Sequence, residues 1–284
     1  MKGVAVAVFP FKKQTAIEKE YAALIRKEAR LHRKAAKAEP ARWKERLEEK
    51  VPQKVYVSLQ EAFCKAFELV FTKGVGIIER TYDRNAIEED HAVQDYAVQV
   101  KGGRRELKQL RRRAARAGTL NMALTTAEGL GLGVLGIGLP DIVLFVGMLL
   151  KGIYETALSY GFAYDTPAER LLILKMMEAA LAKGEDFAAC DAAVEELLSG
   201  GTAWESELPE QIKKQIEMQM EKTGSAFAIE MLLLKFVQSF AIIGVLGGAA
   251  NPLYYNKVME YVQLKYQKRY LLAAAQRRGI ALKR

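Results

Sequence analysis

The sequence is poor in the residues that form the commonest catalytic and metal sites. Its 284 residues include two cysteines, two histidines and two tryptophans. Cys64 and Cys190 are too few for a disulfide scaffold, and with His32 and His91 they are too scattered for a four-ligand structural zinc site. The same scarcity excludes most Cys–His and Ser–His–Asp catalytic arrangements. We therefore expect no metal, no cofactor and reduced thiols.

Motifs for nucleotide binding and hydrolysis are also missing. The sequence contains no Walker A, HExxH, GxSxG or paired CxxC pattern. Gly131-x-Gly133-x-x-Gly136 matches the dinucleotide fingerprint, but the β-rich segment that should precede it is missing. The apolar run before Pro10 is shorter than most signal-peptide cores, which predicts a protein on the cytoplasmic side.

The composition and its periodicity favour an all-α fold. Half of the residues are hydrophobic and 27% are charged, which excludes intrinsic disorder. Apolar residues recur at spacings of three and four, and alternation with period two is nearly absent. We predict a basic helical arm over residues 1–44 and a multi-helix domain over 45–284. The predicted helical segments are 57–82, 85–100, 104–117, 168–183, 186–198, 206–222 and 253–278.

Two glycine-rich apolar segments, 129–150 and 224–250, differ from ordinary amphipathic helices. The first contains one charged residue, Asp141. The second contains Glu230 and Lys235, which would be costly at the centre of a bilayer. Three interpretations remain open: a buried hairpin in the core, a shallow membrane-inserting hairpin, and a true transmembrane span.

The glycine spacing in these segments predicts close helix packing. Gly244 and Gly248 are four residues apart, as are Gly129 and Gly133. This spacing lets two helix backbones approach each other, whether in a membrane or in a protein core.

Positive charge is concentrated in three blocks. Residues 1–54 have a net charge of +8, and residues 101–116 and 257–284 each have +7, whereas residues 165–222 have −7. Basic blocks of this kind bind polyanions, either nucleic acid or an anionic lipid surface, although each could also be a solvated helix face. The candidate anion- or membrane-binding residues are Arg104, Arg105, Arg111, Arg112, Arg113 and Arg116.

Four acidic residues beside glycines or prolines are candidates for chemistry: Glu128, Asp141, Asp165 and Glu169. Structural roles explain them more simply than a paired-carboxylate catalytic site. Thr166, Pro167 and Glu169 fit the N-cap, N1 and N3 positions of a capping box. Asp141 after Pro140 suits a helix start. We assign no catalytic residue.

The same residues carry a resemblance to a known family. The fragments Glu128-Gly129, Gly136-x-Gly138-Leu139-Pro140-Asp141 and Tyr160-Gly161-x-x-x-Asp165-x-Pro167-x-Glu169-Arg170 resemble the central signature of the bacterial EcsC family. Its C-terminal signature is similar to Phe240-x-x-x-Gly244-x-x-x-Gly248-x-x-Asn251 and Tyr266-x-x-Arg269. The resemblance covers roughly residues 45–272 and leaves out the basic arm. It implies a helical domain with no established catalytic mechanism and an accessory role near membrane transport or secretion.

The function that the sequence favours is a non-enzymatic accessory protein, peripheral at the inner face of the cell membrane. Its expected partners are an anionic membrane surface and a transporter or other protein. A nucleic-acid-binding protein that uses residues 1–54 and 101–116 is the alternative, although few aromatic residues accompany the basic ones there. A hydrolase of unknown chemistry is the third hypothesis.

Overall fold

The computed structural model describes residues 14–37, 51–117, 140–199, 209–237 and 250–282. These residues form helices and contain no β-strand, which confirms the predicted all-α fold. The helices are α1 (Ala16–Lys37), α2 (Gln53–Leu69), α3 (Val75–Glu79), α4 (Arg84–Lys101), α5 (Arg104–Ala117), α6 (Pro140–Ser159), α7 (Pro167–Leu181), α8 (Gly184–Ser199), α9 (Pro209–Val237) and α10 (Ala250–Arg277). A π-helical turn, Val70–Gly74, joins α2 to α3.

Helix α6 lies at the centre of the fold. It packs against α2, α4, α5 and α10, and most of its side chains from Ile142 to Leu158 are buried. Among the described residues, Ile142–Ser159 is the one stretch with the length and apolar character of a membrane span. In the folded chain, however, 83% of that stretch is buried. For the part of 129–150 within α6, this burial favours the interpretation as protein core.

Helix α6 ends in a hydrogen-bonded glycine turn. The amide of Gly161 donates to the Leu158 carbonyl at 2.8 Å, and the amide of Phe162 donates to the Ala157 carbonyl at 2.9 Å. This pattern is a Schellman motif, which needs a left-handed residue at its penultimate position. Gly161 supplies it, with φ of 80°. The turn sends the chain back toward α7.

Helix α7 is almost entirely buried among α8, α9 and α10. It begins where the sequence predicts, with Pro167 as its first residue after the N-cap Thr166. Helix α9 is longer than the predicted 206–222 because it continues through Gly224. A Cβ at Gly224 would lie 2.9 Å from Cys64 Sγ and 3.3 Å from the Gln60 carbonyl oxygen. This glycine therefore permits close packing of α9 on α2 and does not end the helix.

Helix α1 belongs to the common core, although the sequence pattern indicates an exposed arm. Ile17, Tyr21 and Leu24 are buried, and α1 packs against α5, α8 and α10. The inward face of α1 also contains the buried carboxylates of Glu20 and Glu28. Because ion pairs replace apolar contacts on that face, hydropathy alone does not reveal it. The predicted boundary between residues 44 and 45 lies outside the described residues.

Candidate functional site

Three of the predicted anion-binding arginines of α5 hold neighbouring helices together. Arg104 Nε and Arg111 Nη1 donate to the carboxylate of Glu20 on α1, at 2.8 and 2.9 Å. Arg113 forms an ion pair with Asp90 on α4. Glu20 is almost fully buried, so its charge requires these partners. The net charge of residues 101–116 therefore overstates the positive charge that α5 offers to a ligand.

The outward face of α5 remains strongly basic. Arg105, Lys108 and Arg112 are exposed and have no ion-pair partner among the described residues. Arg116 is also exposed and lies near the end of the helix. Residues 105, 112 and 116 are spaced by seven and four, which places them on one side of a helix. The outward face is thus the part of α5 suited to an anionic surface.

A cavity of about 850 Å³ opens beside this face, between α1, α5 and α10. Its apolar wall includes Leu31 of α1, Phe187 of α8, and Met259 and Leu264 of α10. Tyr160, from the EcsC-like signature, also lines it. The volume lies within the range typical of small-molecule sites.

The rim of the cavity is basic. Among the described residues that line it, one is acidic, Glu260, and the basic ones are Lys27, Arg30, Lys34, Arg111, Arg112, Lys183 and Lys257. The two arginines of α5 are among the candidates predicted from sequence, Lys27, Arg30, Lys34 and Lys257 lie within the predicted basic blocks 1–54 and 257–284, and Lys183 lies outside them. The spacing of residues 27, 30 and 34 by three and four was the available signal, because it aligns them on one face of α1.

Lysines crowd one end of the cavity. Lys257 Nζ donates to the Leu181 carbonyl at 3.2 Å and lies 3.5 Å from Glu230 Oε2, and Lys183 pairs with the same carboxylate. Burial lowers the pKa of Lys257; Glu230 opposes this effect, and the nearby ammonium groups of Lys183 and Lys34 add to it. One carboxylate therefore serves two lysines, which leaves excess positive charge at this end.

A buried charge network lies below the cavity. The Lys265 ammonium is fully buried and lies 2.7 Å from Glu28 Oε1, 2.7 Å from Asp191 Oδ1 and 2.6 Å from Glu195 Oε1. Lys268 Nζ adds ion pairs of 2.9 Å to Glu28 and 2.8 Å to Glu195. The network joins α1, α8 and α10, so it fixes the helices that frame the cavity.

The same network contains a set of potential metal ligands that the sequence analysis did not identify. Glu28, His32 and Asp191 place one ligand atom each within 4.8 Å of one another. His32 Nε2 lies 3.0 Å from Asp191 Oδ2. The Lys265 ammonium already pairs with Glu28 and Asp191, so a metal ion would have to compete with it for both carboxylates. This geometry favours a structural ion network over a metal centre.

The two EcsC-like signatures meet at Glu169. Arg269 Nη1 of α10 donates to both carboxylate oxygens of Glu169, at 3.0 and 2.8 Å, and the Tyr266 hydroxyl donates at 2.7 Å. The Thr166 hydroxyl accepts a hydrogen bond from the Glu169 amide at 3.1 Å, which confirms the predicted N-cap. The carboxylate of Glu169, however, faces α10 and does not complete the reciprocal capping box.

The other signature residues occupy structural positions or lie outside the described residues. Asp165, which precedes the N-cap Thr166, has its Oδ2 atom 3.6 Å from Arg84 Nη1. Asp165 and Glu169 thus have different cationic partners and do not form a shared carboxylate site. Pro140 and Asp141 begin α6, and Asn251 lies in the first turn of α10. Glu128, Gly129, Gly138, Gly244 and Gly248 lie outside the described residues, as do Gly131, Gly133 and Gly136.

A tyrosine cluster lies beside this signature region. The rings of Tyr154 and Tyr164 stack at 4.1 Å, and Tyr164 donates to Glu79 at 2.5 Å while it accepts from the Tyr82 hydroxyl at 2.6 Å. Burial and the hydrogen bond to Glu79 raise the pKa of Tyr164 to about 12. Tyr82 and Tyr164 therefore join packing with hydrogen bonding, whereas the buried Tyr154 hydroxyl has no hydrogen-bond partner among the described residues.

Comparison with known proteins agrees with the signature residues. The model of the EcsC protein family matches residues 16–271. This range includes α1, whereas the motif comparison placed residues 1–44 outside the resemblance. Neither a curated protein nor a solved structure matches the chain. Since the family match covers nearly the whole sequence, the chain belongs to the EcsC protein family.

Proposed function

We propose that this protein is a non-enzymatic accessory protein that binds peripherally to anionic membranes at the cytoplasmic face. The observation that carries the proposal is the outward face of α5, where Arg105, Lys108 and Arg112 are exposed without ion-pair partners among the described residues. Each Lys or Arg near an anionic membrane surface contributes about 1 kcal/mol of binding free energy. The two free cysteines suit a reducing compartment.

An apolar stripe on the neighbouring helix α4 supports membrane binding through this part of the protein. Val93, Tyr96 and Val100 of α4 are each more than half exposed, and their spacing of three and four places them on one face. The ion pair between Asp90 and Arg113 holds α4 beside α5. Tyrosine is favoured at membrane–water interfaces, so this stripe is suited to shallow insertion next to the basic face.

The direct test is vesicle binding by a charge-reversal variant. Arg105→Glu/Lys108→Glu changes the outward face of α5 without touching the three α5 arginines that pair with Glu20 and Asp90. Sedimentation with vesicles that contain phosphatidylglycerol should show at least a tenfold loss of binding. Wild-type binding should weaken with salt and be slight on pure phosphatidylcholine vesicles.

The matched control is Lys213→Glu/Lys214→Glu, which makes the same change in net charge on exposed positions of α9. It should retain most of the binding. Val93→Ser/Tyr96→Ser/Val100→Ser should weaken binding without changing its salt dependence. Equal binding by wild type and the α5 variant would contradict the proposal. Binding to duplex DNA that the α5 variant loses, with no vesicle binding by wild type, would support the nucleic-acid alternative instead.

A transporter or other protein partner, which the family resemblance implies, stays a prediction. The hydrolase hypothesis gains no specific support from the contacts of Asp165 and Glu169.

A further inference from the structure

The cavity between α1, α5 and α10 combines an apolar wall with a basic rim, and one class of ligand is complementary to both. Its wall is apolar, with Leu31, Met259 and Leu264 among the lining residues. Four basic residues of its rim have no ion-pair partner in the described parts of the chain: Lys27, Arg30, Lys34 and Arg112. The cavity therefore offers uncompensated positive charge next to apolar surface.

A ligand with only one of these properties would leave part of the cavity unsatisfied. Inorganic phosphate would neutralise the lysines but leave the apolar wall in contact with water. A neutral amphiphile would cover the wall but leave in place the excess positive charge of Lys34, Lys183 and Lys257, which among the described residues have only the Glu230 carboxylate to share. The charge and polarity of the lining thus require both a negative group and a hydrocarbon chain.

We infer that the cavity binds one single-chain anionic amphiphile, a fatty acyl or alkyl chain that carries a phosphate or carboxylate headgroup. The headgroup lies at the lysine-rich end, beside Lys34 and Lys257, and the chain follows α10 toward Leu264. The lining of α10 extends from Asn256 to Gln267, about 16 Å along a helix, which is long enough for a chain of ten carbons.

This inference deepens the proposed function and rests on it for the source of the ligand. Arg112 belongs both to the outward face of α5 and to the rim of the cavity. A membrane docked on α5 therefore lies next to the cavity, and a single-chain lipid would have a short path from bilayer to protein.

The test uses calorimetry with soluble probes below the concentrations at which they form micelles. The probes are decyl phosphate, hexyl phosphate, inorganic phosphate and decyl maltoside. Decyl phosphate should bind with one molecule per chain and at least tenfold more tightly than hexyl phosphate, because each buried methylene strengthens binding about fourfold. Inorganic phosphate and decyl maltoside should each bind at least tenfold more weakly than decyl phosphate.

Two pairs of variants locate the site. Ala35→Phe places a ring in the cavity and should weaken decyl phosphate binding at least tenfold, whereas Ala36→Phe on the exposed neighbouring position should not. Lys34→Gln/Arg112→Gln should weaken binding as well. Arg33→Gln/Lys213→Gln removes the same charge at exposed positions outside the cavity and should leave binding nearly unchanged. The charge variants decide the result if Ala35→Phe fails to fold, which its unfolding midpoint will show.

The outcomes separate this inference from the proposed function. Equal affinity for inorganic phosphate and decyl phosphate would overturn the inference, as would equal affinity for decyl maltoside or decyl phosphate binding that no cavity variant alters. If wild type binds anionic vesicles but not decyl phosphate, the inference is wrong and the proposed function stands. Site-specific decyl phosphate binding without vesicle binding would support the cavity as a ligand site and contradict membrane docking.

Discussion

Glu169 at the start of α7 and Arg269 on α10 form an ion pair across 100 positions of the sequence, with oxygen–nitrogen distances of 3.0 and 2.8 Å. The carboxylate is buried, with 4% of its side chain exposed, whereas the arginine side chain is 25% exposed. Each residue belongs to a different fragment of the EcsC-like signature, so this ion pair joins the two fragments in the folded protein. It fixes the N-terminus of the largely buried α7 to α10.

The unequal exposure of the two partners predicts unequal effects of their removal. Arg269→Met leaves a buried carboxylate with only the Tyr266 hydroxyl, and should lower the free energy of unfolding by about 3 kcal/mol. Glu169→Gln keeps an acceptor for Tyr266 and leaves an arginine that can reach water, so the loss should be about 1–2 kcal/mol. Urea unfolding of both variants compares the two losses of unfolding free energy. A larger loss for Glu169→Gln would refute the predicted order.

The N-cap of α7 is a separate and smaller contribution. Thr166→Ala removes the acceptor for the Glu169 amide and should cost about 1 kcal/mol of stability. Thr166→Ser retains the hydroxyl and should stay close to wild type in the same thermal or chemical unfolding measurement. A Thr166→Ala protein with wild-type stability but impaired ligand or vesicle binding would show a functional role in place of the structural one.

Gly161 has a backbone requirement that glycines within helices, such as Gly76, lack. With φ of 80°, it adopts a left-handed conformation that costs an L-residue roughly 1–2 kcal/mol. A Cβ there would also collide with the His91 ring. Gly161→Ala should therefore lower the free energy of unfolding by at least about 1 kcal/mol, as measured by denaturant titration.

Gly76→Ala is the matched control for that substitution. Gly76 lies within α3, and beyond its chain neighbours and the backbone of its own helix no described atom stands within 4 Å of a Cβ built at that position. Alanine should stabilise this helix by up to about 1 kcal/mol. If both alanine variants shift stability in the same direction, the special role of Gly161 is wrong.

Local sequence signals account for the elements that were predicted well. Thr166 and Pro167 mark the start of α7, and Gly102-Gly103 separates α4 from the arginine-rich α5. These signals act within one turn of backbone, so they can be recognised without knowledge of the fold. The all-α class follows from the same short-range periodicity.

The candidate site could be predicted only in part because it depends on contacts between distant segments. The sequence shows that α5 is basic, but not that Arg104 and Arg111 share an ion pair with Glu20 on α1. Likewise, nothing local distinguishes Lys265 from the lysines around it, although its ammonium is buried among three carboxylates. Hydropathy treats every charged residue as exposed, and so it misses a helix face that is buried through ion pairs.

The network around Lys265 predicts a specific response to acid. Burial alone would raise the pKa of Glu28, but the ammonium groups of Lys265 and Lys268 outweigh it and hold this pKa below its ordinary value. A carboxyl with a lowered pKa in the folded state contributes stability above its unfolded pKa and loses that contribution as the pH falls through the folded value. The contribution of Glu28 should thus be complete above about pH 5, and it should decline progressively as the pH falls below about 4 toward the lowered folded pKa.

Comparison of wild type with Glu28→Gln isolates this contribution from that of other carboxyls. At pH 7 the variant should be about 3 kcal/mol less stable, because two largely buried lysines lose a shared partner. Toward pH 3 the difference should shrink, since wild-type Glu28 is increasingly protonated as the pH approaches its lowered pKa and then resembles glutamine. Glu217→Gln, at an exposed position of α9, should match wild type at every pH. Urea unfolding between pH 7 and pH 3 measures all three proteins. If the difference between wild type and Glu28→Gln is independent of pH, Glu28 does not carry its charge within the Lys265 network.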